Sequence, residues 1–244
     1  MLVLLPAIAI AKPPKGIEIG VEVGYDGYVQ LGRVNPVAVT LRNSTQSLNI
    51  SGELVLSYNG IEYTAPLELP TPSEKRLFLY FPCADYSPQL TLRVRSKQYT
   101  DEFTLAEPGA FKVARAEDIS VMVLSRQQGA LNMLNQKSVA RLYRNWFRST
   151  SSELSSGRVY VSYYKPEQID PNAKFFSRSD VIVLADIDYQ QVTPEMATAL
   201  ASAVSGGASL VFSLGFNGAG VAASPLASMC PLQYSGTTQV GSLG

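Results

Sequence analysis

The sequence predicts two folded parts, a β-sandwich followed by an open parallel α/β sheet, and three observations predict it. Apolar residues keep a period of two from Gly16 to about residue 107. The period breaks at Glu107-Pro108-Gly109, and beyond that point continuous apolar runs alternate with amphipathic stretches. With 244 residues, 46% hydrophobic and 16% charged, the chain has apolar side chains enough for two cores, which excludes a disordered polypeptide.

Residues 1–11 are an apolar run closed by Lys12-Pro13-Pro14-Lys15. The run is too short to span a bilayer, which takes about 20 apolar residues. Ala9-Ile10-Ala11 has the small-x-small form that signal peptidase accepts, and the run has the length of a secretory hydrophobic segment without its basic leader. We expect a partial signal peptide and export to the periplasm or cell surface. The alternative, a buried first strand or helix, sits badly with Pro6 and the Pro-rich exit. Asn43-Ser44-Thr45 and Asn49-Ile50-Ser51 are formal glycosylation sequons, which matter only in a eukaryotic secretory pathway.

Within residues 16–107, Ile17, Ile19, Val21 and Val23 alternate with polar or small residues. Val37, Val39 and Leu41 do the same, as do Leu77, Leu79 and Phe81, and Leu90, Leu92 and Val94. Such alternation marks strands with one buried face. Turn signals separate them at Tyr25-Asp26-Gly27, Asn35-Pro36, Asn59-Gly60, Pro70-Thr71-Pro72 and Ser96-Lys97-Gln98. Asn59-Gly60 is the strongest, because a type I′ hairpin needs positive φ at both central residues; it should join strand 53–58 to strand 61–67. About seven short strands at this spacing form the pattern of an immunoglobulin-like sandwich. Asp101-Glu102 falls short of a calcium site, which takes six to eight oxygens, and Tyr25, Tyr28 and Tyr63 read as strand packing rather than a sugar-stacking platform.

From residue 108 to 244 the pattern is α/β. Ile119–Leu124 is a continuous apolar strand, as expected when both faces are covered. A helix from about Ala130 to Arg148 should place Leu131, Leu134, Val139, Leu142 and Trp146 on the sheet and Lys137, Arg141, Arg144 and Arg148 outward. Strands follow at 159–163 and 181–185, joined by an excursion through Pro166 and Pro171. A second helix has Thr193 as N-cap, Pro194 at its first position and Gly206-Gly207 as its stop, and strand 209–214 closes another βαβ unit.

The count that excludes most chemistry is zero histidines. A Ser-His-Asp or Cys-His relay, a His-ligated metal and a switch poised near neutral pH each need an imidazole. The 20 Lys+Arg balance 20 Asp+Glu, so a polyanion-coating protein is not expected and we set nucleic acid aside. Two cysteines, Cys83 and Cys230, cannot make a disulfide framework and fall in different parts. Nothing in the sequence points to a metal site or a cofactor.

Several segments carry a resemblance. Asp180-Val-Ile-Val-Leu-Ala-Asp-Ile-Asp188, Thr193-Pro194-Glu195 and Ala203-Val-Ser-Gly-Gly-Ala-Ser-Leu-Val-Phe212 resemble the class I glutamine amidotransferase-like fold. They are similar to an envelope-associated bacterial branch in which an immunoglobulin-like domain precedes that fold. Gly24-Tyr-Asp-Gly-Tyr28 and Gly32–Asn43 look like its sandwich half. The resemblance implies a degenerate copy: a working member uses a Gly-x-Cys-x-Gly elbow and a downstream His-x-Glu, and neither cysteine here lies in such an elbow. Ser213-Leu214-Gly215 keeps half of one, with Val211 where glycine would permit the sharp turn, and no base stands ready for the hydroxyl. Set against the resemblance, the chain is one or two βα units short of a complete fold at Gly244, and the part expected beyond it could include a membrane anchor.

In open parallel sheets ligands bind beyond the carboxyl ends of the strands. Three ends converge on one rim and bring Arg126, the group Asp186, Asp188 and Tyr189, and Asn217. Asp186 and Asp188, if extended, would point the same way and could share a cation or act as an acid–base pair; loop polarity and capping are the alternative. The basic ridge Lys137, Arg141, Arg144, Arg148 suits either an anionic surface or plain solvation. The expectation is a non-catalytic, exported interaction or ligand-sensing module with a protein or envelope-polymer partner. The alternatives are a carboxylate- or metal-dependent hydrolase of carbohydrate or wall polymer, and a protein that binds anionic membrane surfaces.

Overall fold

The computed structural model describes residues 16–97, 100–105, 111–115, 117–129, 131–135, 157–177, 179–213, 218–232 and 235–236. The expected signal segment 1–11, the ridge residues Lys137, Arg141, Arg144 and Arg148, and Asn217 lie outside them. Contacts divide the chain into two compact units between residues 116 and 117. No helix among the described residues is long and apolar enough to cross a membrane.

The first unit is built of two antiparallel sheets and one short parallel pair. β1 (Ile17–Val23), β3 (Val34–Asn43) and β6 (Ser73–Pro82) form one sheet in the order β1-β3-β6. β4 (Ile50–Tyr58), β5 (Ile61–Leu69), β7 (Leu90–Ser96) and β8 (Thr100–Thr104) form the other in the order β5-β4-β7-β8. The chain changes sheet after β3, after β5 and again after β6, the Greek-key wiring of sandwiches. Their inner faces share one core, in which Val37, Val39, Leu54, Leu56, Phe81, Leu90, Leu92 and Val94 are fully buried. Apart from Leu54 and Leu56, these are inward residues that the alternation marks.

The β4–β5 hairpin pairs Tyr58 with Ile61 across Asn59-Gly60, and both turn residues have positive φ, 49° and 76°. Asp26-Gly27 makes an equally tight turn, with φ of 52° and 79°, between Tyr25 and Tyr28. Gly24 just before it cannot be replaced: its φ is +72°, and a Cβ there would stand 2.1 Å from the Tyr28 carbonyl oxygen. Tyr25 is buried, and Lys112 Nζ lies 5.8 Å from the Tyr28 ring centroid, so the tyrosines pack rather than form a platform.

The sequence boundary at residue 108 falls short of the division between the units. β2 (Tyr28–Gln30) pairs in parallel with β9 (Lys112–Ala114), and Leu31 N–H donates to the Ala114 carbonyl at 2.9 Å, which ties those residues to the sandwich. On the outer face of the four-stranded sheet, Arg95 pairs with Glu62 at 3.0 Å and Glu53 at 3.5 Å, and Arg93 Nε donates to Glu102 at 2.9 Å. Glu102 is therefore engaged by an arginine.

A polar cluster pins the hairpin tip. Tyr58 Oη donates to Asp85 Oδ2 at 2.8 Å and accepts from the Ala84 N–H at 2.8 Å, while Asn59 Nδ2 donates to the same Asp85 oxygen at 3.0 Å. The Asn59 and Tyr58 hydrogen bonds hold the Asp85 carboxyl below its ordinary 3.8. An acid whose pKa is lowered by folding adds stability above its unfolded value and loses it as pH falls through the folded one. The tip therefore loosens only below about pH 3.8. Asn59→Gly keeps the turn and removes one donor; carboxyl NMR titration should then find Asp85 titrating closer to its ordinary range.

The second unit is a parallel sheet of β10 (Ile119–Leu124), β11 (Val159–Tyr164), β12 (Val181–Ala185) and β13 (Ser209–Ser213), in the order β11-β10-β12-β13. Two carboxylates stitch its amino edge. Asp118 Oδ1 accepts from the Arg158 N–H at 2.7 Å and Asp180 Oδ2 from the Ser120 N–H at 2.7 Å. Between β11 and β12 the chain makes a 3-10 turn at Pro166–Gln168 and the short α1 (Ala173–Phe176), whose Phe175 and Phe176 are buried. α2 (Pro194–Ser205) starts at its Thr193 cap, which accepts from the Met196 N–H at 3.2 Å, and ends at Gly206, followed by Gly207 with φ +104°. α3 (Gly218–Ala222) is one short turn more.

The helix expected from Ala130 does not run through residue 135. Asn132–Leu134 is a 3-10 turn after which Asn135 is extended. Tertiary hydrogen bonds override the helical pattern here: Leu131 N–H donates to Tyr163 Oη at 2.8 Å, and Asn135 Oδ1 accepts from the Val161 N–H at 3.3 Å. The remainder of that predicted helix lies outside the described residues.

Candidate functional site

The strand order locates the site. The chain steps from β10 outward to β11, then returns past β10 to add β12 and β13 on the other side, so the strand order reverses between β10 and β12. Such reversals open a crevice at the carboxyl ends of the strands, here of β10 and β12. Ser125 closes the end of β10: its N–H donates to the Tyr164 carbonyl at 2.9 Å, and its hydroxyl accepts from the Gln127 N–H at 3.0 Å. Arg126 is thereby held outward beside the end of β12.

A crevice of about 660 Å³ opens at this edge. Arg126, Lys165, Glu167, Gln191 and Thr193 supply polar groups, and Pro166, Ile169, Pro171 and Met196 supply apolar surface. The volume lies in the range of small-molecule pockets, and five of the nine lining residues are polar or charged. Arg126 Nη2 meets Asp188 Oδ2 at 3.5 Å, with side chains 55% and 39% exposed. An ion pair that open is worth at most about 1 kcal/mol, so Arg126 remains available to an incoming anion.

The other predicted site residues divide. Asp186 is exposed and left-handed, φ 50°, a conformation that Asp tolerates better than most residues. That turn breaks the extended segment which would have set it parallel to Asp188. Asp188 Oδ1 caps the 3-10 turn Tyr189–Gln191 by accepting from the Gln190 N–H at 3.1 Å, so its two oxygens serve a cap and an arginine. Tyr189 is buried at 2% exposure and packs on Gly220 of α3 instead of lining the crevice. Burial pushes its hydroxyl pKa up, with Cys230 adding to the shift, and the buried hydroxyl has no hydrogen-bond partner among the described residues. Among the described residues no group of three His, Cys, Asp or Glu side chains could hold a metal ion.

Sequence reasoning missed Lys165, Glu167, Gln191 and Met196. The sequence reading brings three strand ends to the rim and leaves out the fourth, that of β11. Tyr164-Lys165-Pro166-Glu167 leaves that strand directly into the crevice, and a Pro-terminated parallel strand was the available signal.

Fold and site together define a class of protein: a β-sandwich unit followed by an open parallel α/β unit with a crevice at its switch point. A family model described as a domain of unknown function (DUF8726) matches residues 16–107, the alternating segment. No curated protein matches the chain. Among solved structures it is similar to the CARDB domain of a Pyrococcus furiosus protein in complex with di-metal ions, at 14% identity and a TM-score of 0.28, over 41% of this chain and 94% of that one. It is also similar to Pseudomonas fluorescens alkylpurine DNA glycosylase AlkC bound to DNA containing an abasic site analog, at 13% identity and a TM-score of 0.25. That likeness covers 36% of this chain and 30% of the glycosylase.

Proposed function

We propose that the protein is a non-catalytic, extracytoplasmic recognition module of a bacterial cell envelope. An immunoglobulin-like sandwich carries an amidotransferase-like domain whose crevice takes an anionic segment of a protein or envelope polymer. The observation that carries this reading is the crevice itself: a switch-point cleft with two cationic side chains, Arg126 and Lys165, over an apolar floor, in a chain without histidine. The floor would seat an uncharged stretch of the ligand, and the two cations would meet its carboxylate or phosphate groups. Asp188 acts as a weak internal occupant of Arg126 that the ligand displaces. Nothing in the geometry of the Asp186–Asp188 loop favours an acid–base pair there.

Titration calorimetry with poly-γ-glutamate and with a poly(glycerol phosphate), neutral dextran serving as control, tests the reading. The anionic polymers should bind and weaken as salt is raised. Arg126→Ala and Lys165→Ala should each weaken binding about tenfold, roughly the worth of one charge-assisted hydrogen bond. Asp188→Asn, which keeps the capping oxygen, should tighten it. Equal binding of dextran, no binding of either anion, or indifference to Arg126→Ala and Lys165→Ala would overturn the crevice as the site; turnover of any ester, amide or glycoside would overturn the non-catalytic assignment.

A further inference from the structure

The crevice holds one charge that an anionic ligand does not explain. Glu167, an acid, lines the same cavity as the cations Arg126 and Lys165. Among the described residues neither Lys165 Nζ nor the Glu167 carboxylate has an ion-pair partner, and the Gln191 side-chain amide makes no hydrogen bond. Residues 214–244 carry no charged side chain, so the chain from β13 to Gly244 offers neither charge a counter-ion.

The local backbone keeps these groups apart and in place. Lys165 N–H donates to Gln168 Oε1 at 3.0 Å, Gln168 N–H donates to the Lys165 carbonyl at 2.9 Å, and the buried Pro166 stiffens the turn. Side chains of a 3-10 turn eclipse every third residue, so those of Lys165 and Glu167, two apart, diverge and do not neutralise each other. Gln191 closes the capped turn Tyr189–Gln191, its N–H donating to the Asp188 carbonyl at 3.0 Å. Groups held in advance lose little freedom on binding. A wholly anionic ligand meets Glu167 as a like charge, whereas one that also carries an ammonium meets it as a partner. The Gln191 amide, donor and acceptor at once, matches a peptide group in both senses.

We infer, on the reading that the crevice is the anion site, that its ligand is a peptide-bonded chain carrying free ammonium groups among its carboxylates. Arg126 and Lys165 take the carboxylates, Glu167 takes an ammonium, and Gln191 pairs with a peptide group of the chain. Glu167 then sets specificity: it disfavours a purely anionic chain and favours a dipolar one. Simple attraction to the two cations gives the reverse order, because each added ammonium reduces the negative charge of the ligand.

Two derivatives of poly-γ-glutamate separate these cases. One has a minority of its carboxylates converted to 2-aminoethylamides; the other has the same share converted to 2-acetamidoethylamides, which lack the charge. In calorimetry on the full chain the amine form should bind about fivefold tighter, the upper end for an exposed ion pair. Glu167→Gln, at an exposed position, should erase that preference by weakening the amine form, and should leave the acetamide form as tight or tighter. Gln191→Ala should weaken both forms about threefold and leave poly(glycerol phosphate), which has no peptide group, unchanged. Arg126→Ala and Lys165→Ala should weaken all three polymers. An amine form that binds no tighter than the acetamide form, a preference that survives Glu167→Gln, or a Gln191→Ala protein that treats all three polymers alike would overturn the dipolar peptide ligand and leave the anion site standing. No binding of any polymer, or indifference of all three to Arg126→Ala and Lys165→Ala, would overturn both.

Discussion

Asn43→Asp should destabilise the sandwich by about 4 kcal/mol at neutral pH, and the deficit should shrink as the pH is lowered. Asn43 ends β3, is 1% exposed, and joins segments remote in sequence. Its amide nitrogen donates to the carbonyls of Leu48 at 2.6 Å and Leu69 at 3.2 Å, while its oxygen accepts from the Thr45 N–H at 3.1 Å. A carboxylate has the same shape and no donors, so both carbonyls would face a buried negative charge. Burial and those carbonyls would raise the new acid's pKa in the folded state above its unfolded value of about 3.9. The added cost therefore grows as pH rises from about 4 and levels off above the folded pKa. Urea unfolding at pH 4.5 and pH 7.5 measures the difference; a penalty equal at both would mean that the amide is not held as described. The same burial makes the first formal sequon unusable in the folded protein, because the nitrogen that would carry a glycan is committed to the core.

The second large effect is expected at the amino edge of the parallel sheet. Asp180→Ala should cost about 2–3 kcal/mol, the price of stranding a buried N–H that a carboxylate now satisfies. Asp180 joins three strands: its Oδ2 accepts from Ser120 N–H, its own N–H donates to the Ser120 carbonyl at 3.0 Å, and its carbonyl accepts from Ser209 N–H at 2.9 Å. The backbone bonds survive the substitution and the carboxylate bond does not. Hydrogen exchange should accelerate most at the Ser120 amide. If protection there is unchanged while stability falls, the loss has arisen elsewhere.

Much of the fold was legible because its signals are local. Asn59-Gly60 announces a hairpin through the φ values it tolerates, and Thr193-Pro194 with Gly206-Gly207 bracket α2 through capping chemistry. The apolar runs at 119–124 and 181–185 mark strands of the parallel sheet. What escaped depends on residues distant in sequence. β9 is three residues long, with too few positions to show a period, and only its pairing with β2 reveals it. The 3-10 turn at Asn132–Leu134 follows from hydrogen bonds to β11 that no helical pattern contains. At the candidate site, the approach of Arg126 to Asp188 and Lys165 requires the strand order, which apolar runs do not encode. Tyr189 is expected at the rim because it follows the end of β12, whereas its ring packs inward; an amphipathic side chain carries no sequence mark of which end prevails. Asp186 left its expected direction because one left-handed residue undoes the alternation of an extended segment.

The order β11-β10-β12-β13 also sets a timetable for synthesis. The β4–β5 hairpin closes across two residues and can form as soon as it is made. β10 has no such local partner: Ile119 waits for Val159 and Val121 waits for Val181. While those segments are still being made, an uncharged strand with Ser120 as its one polar residue stands with both edges open behind a sandwich whose strands are already complete. In that interval Val121, Met122, Val123 and Leu124 are open to pairing with other strands, and the second unit, rather than the sandwich, is where misfolding is expected to begin.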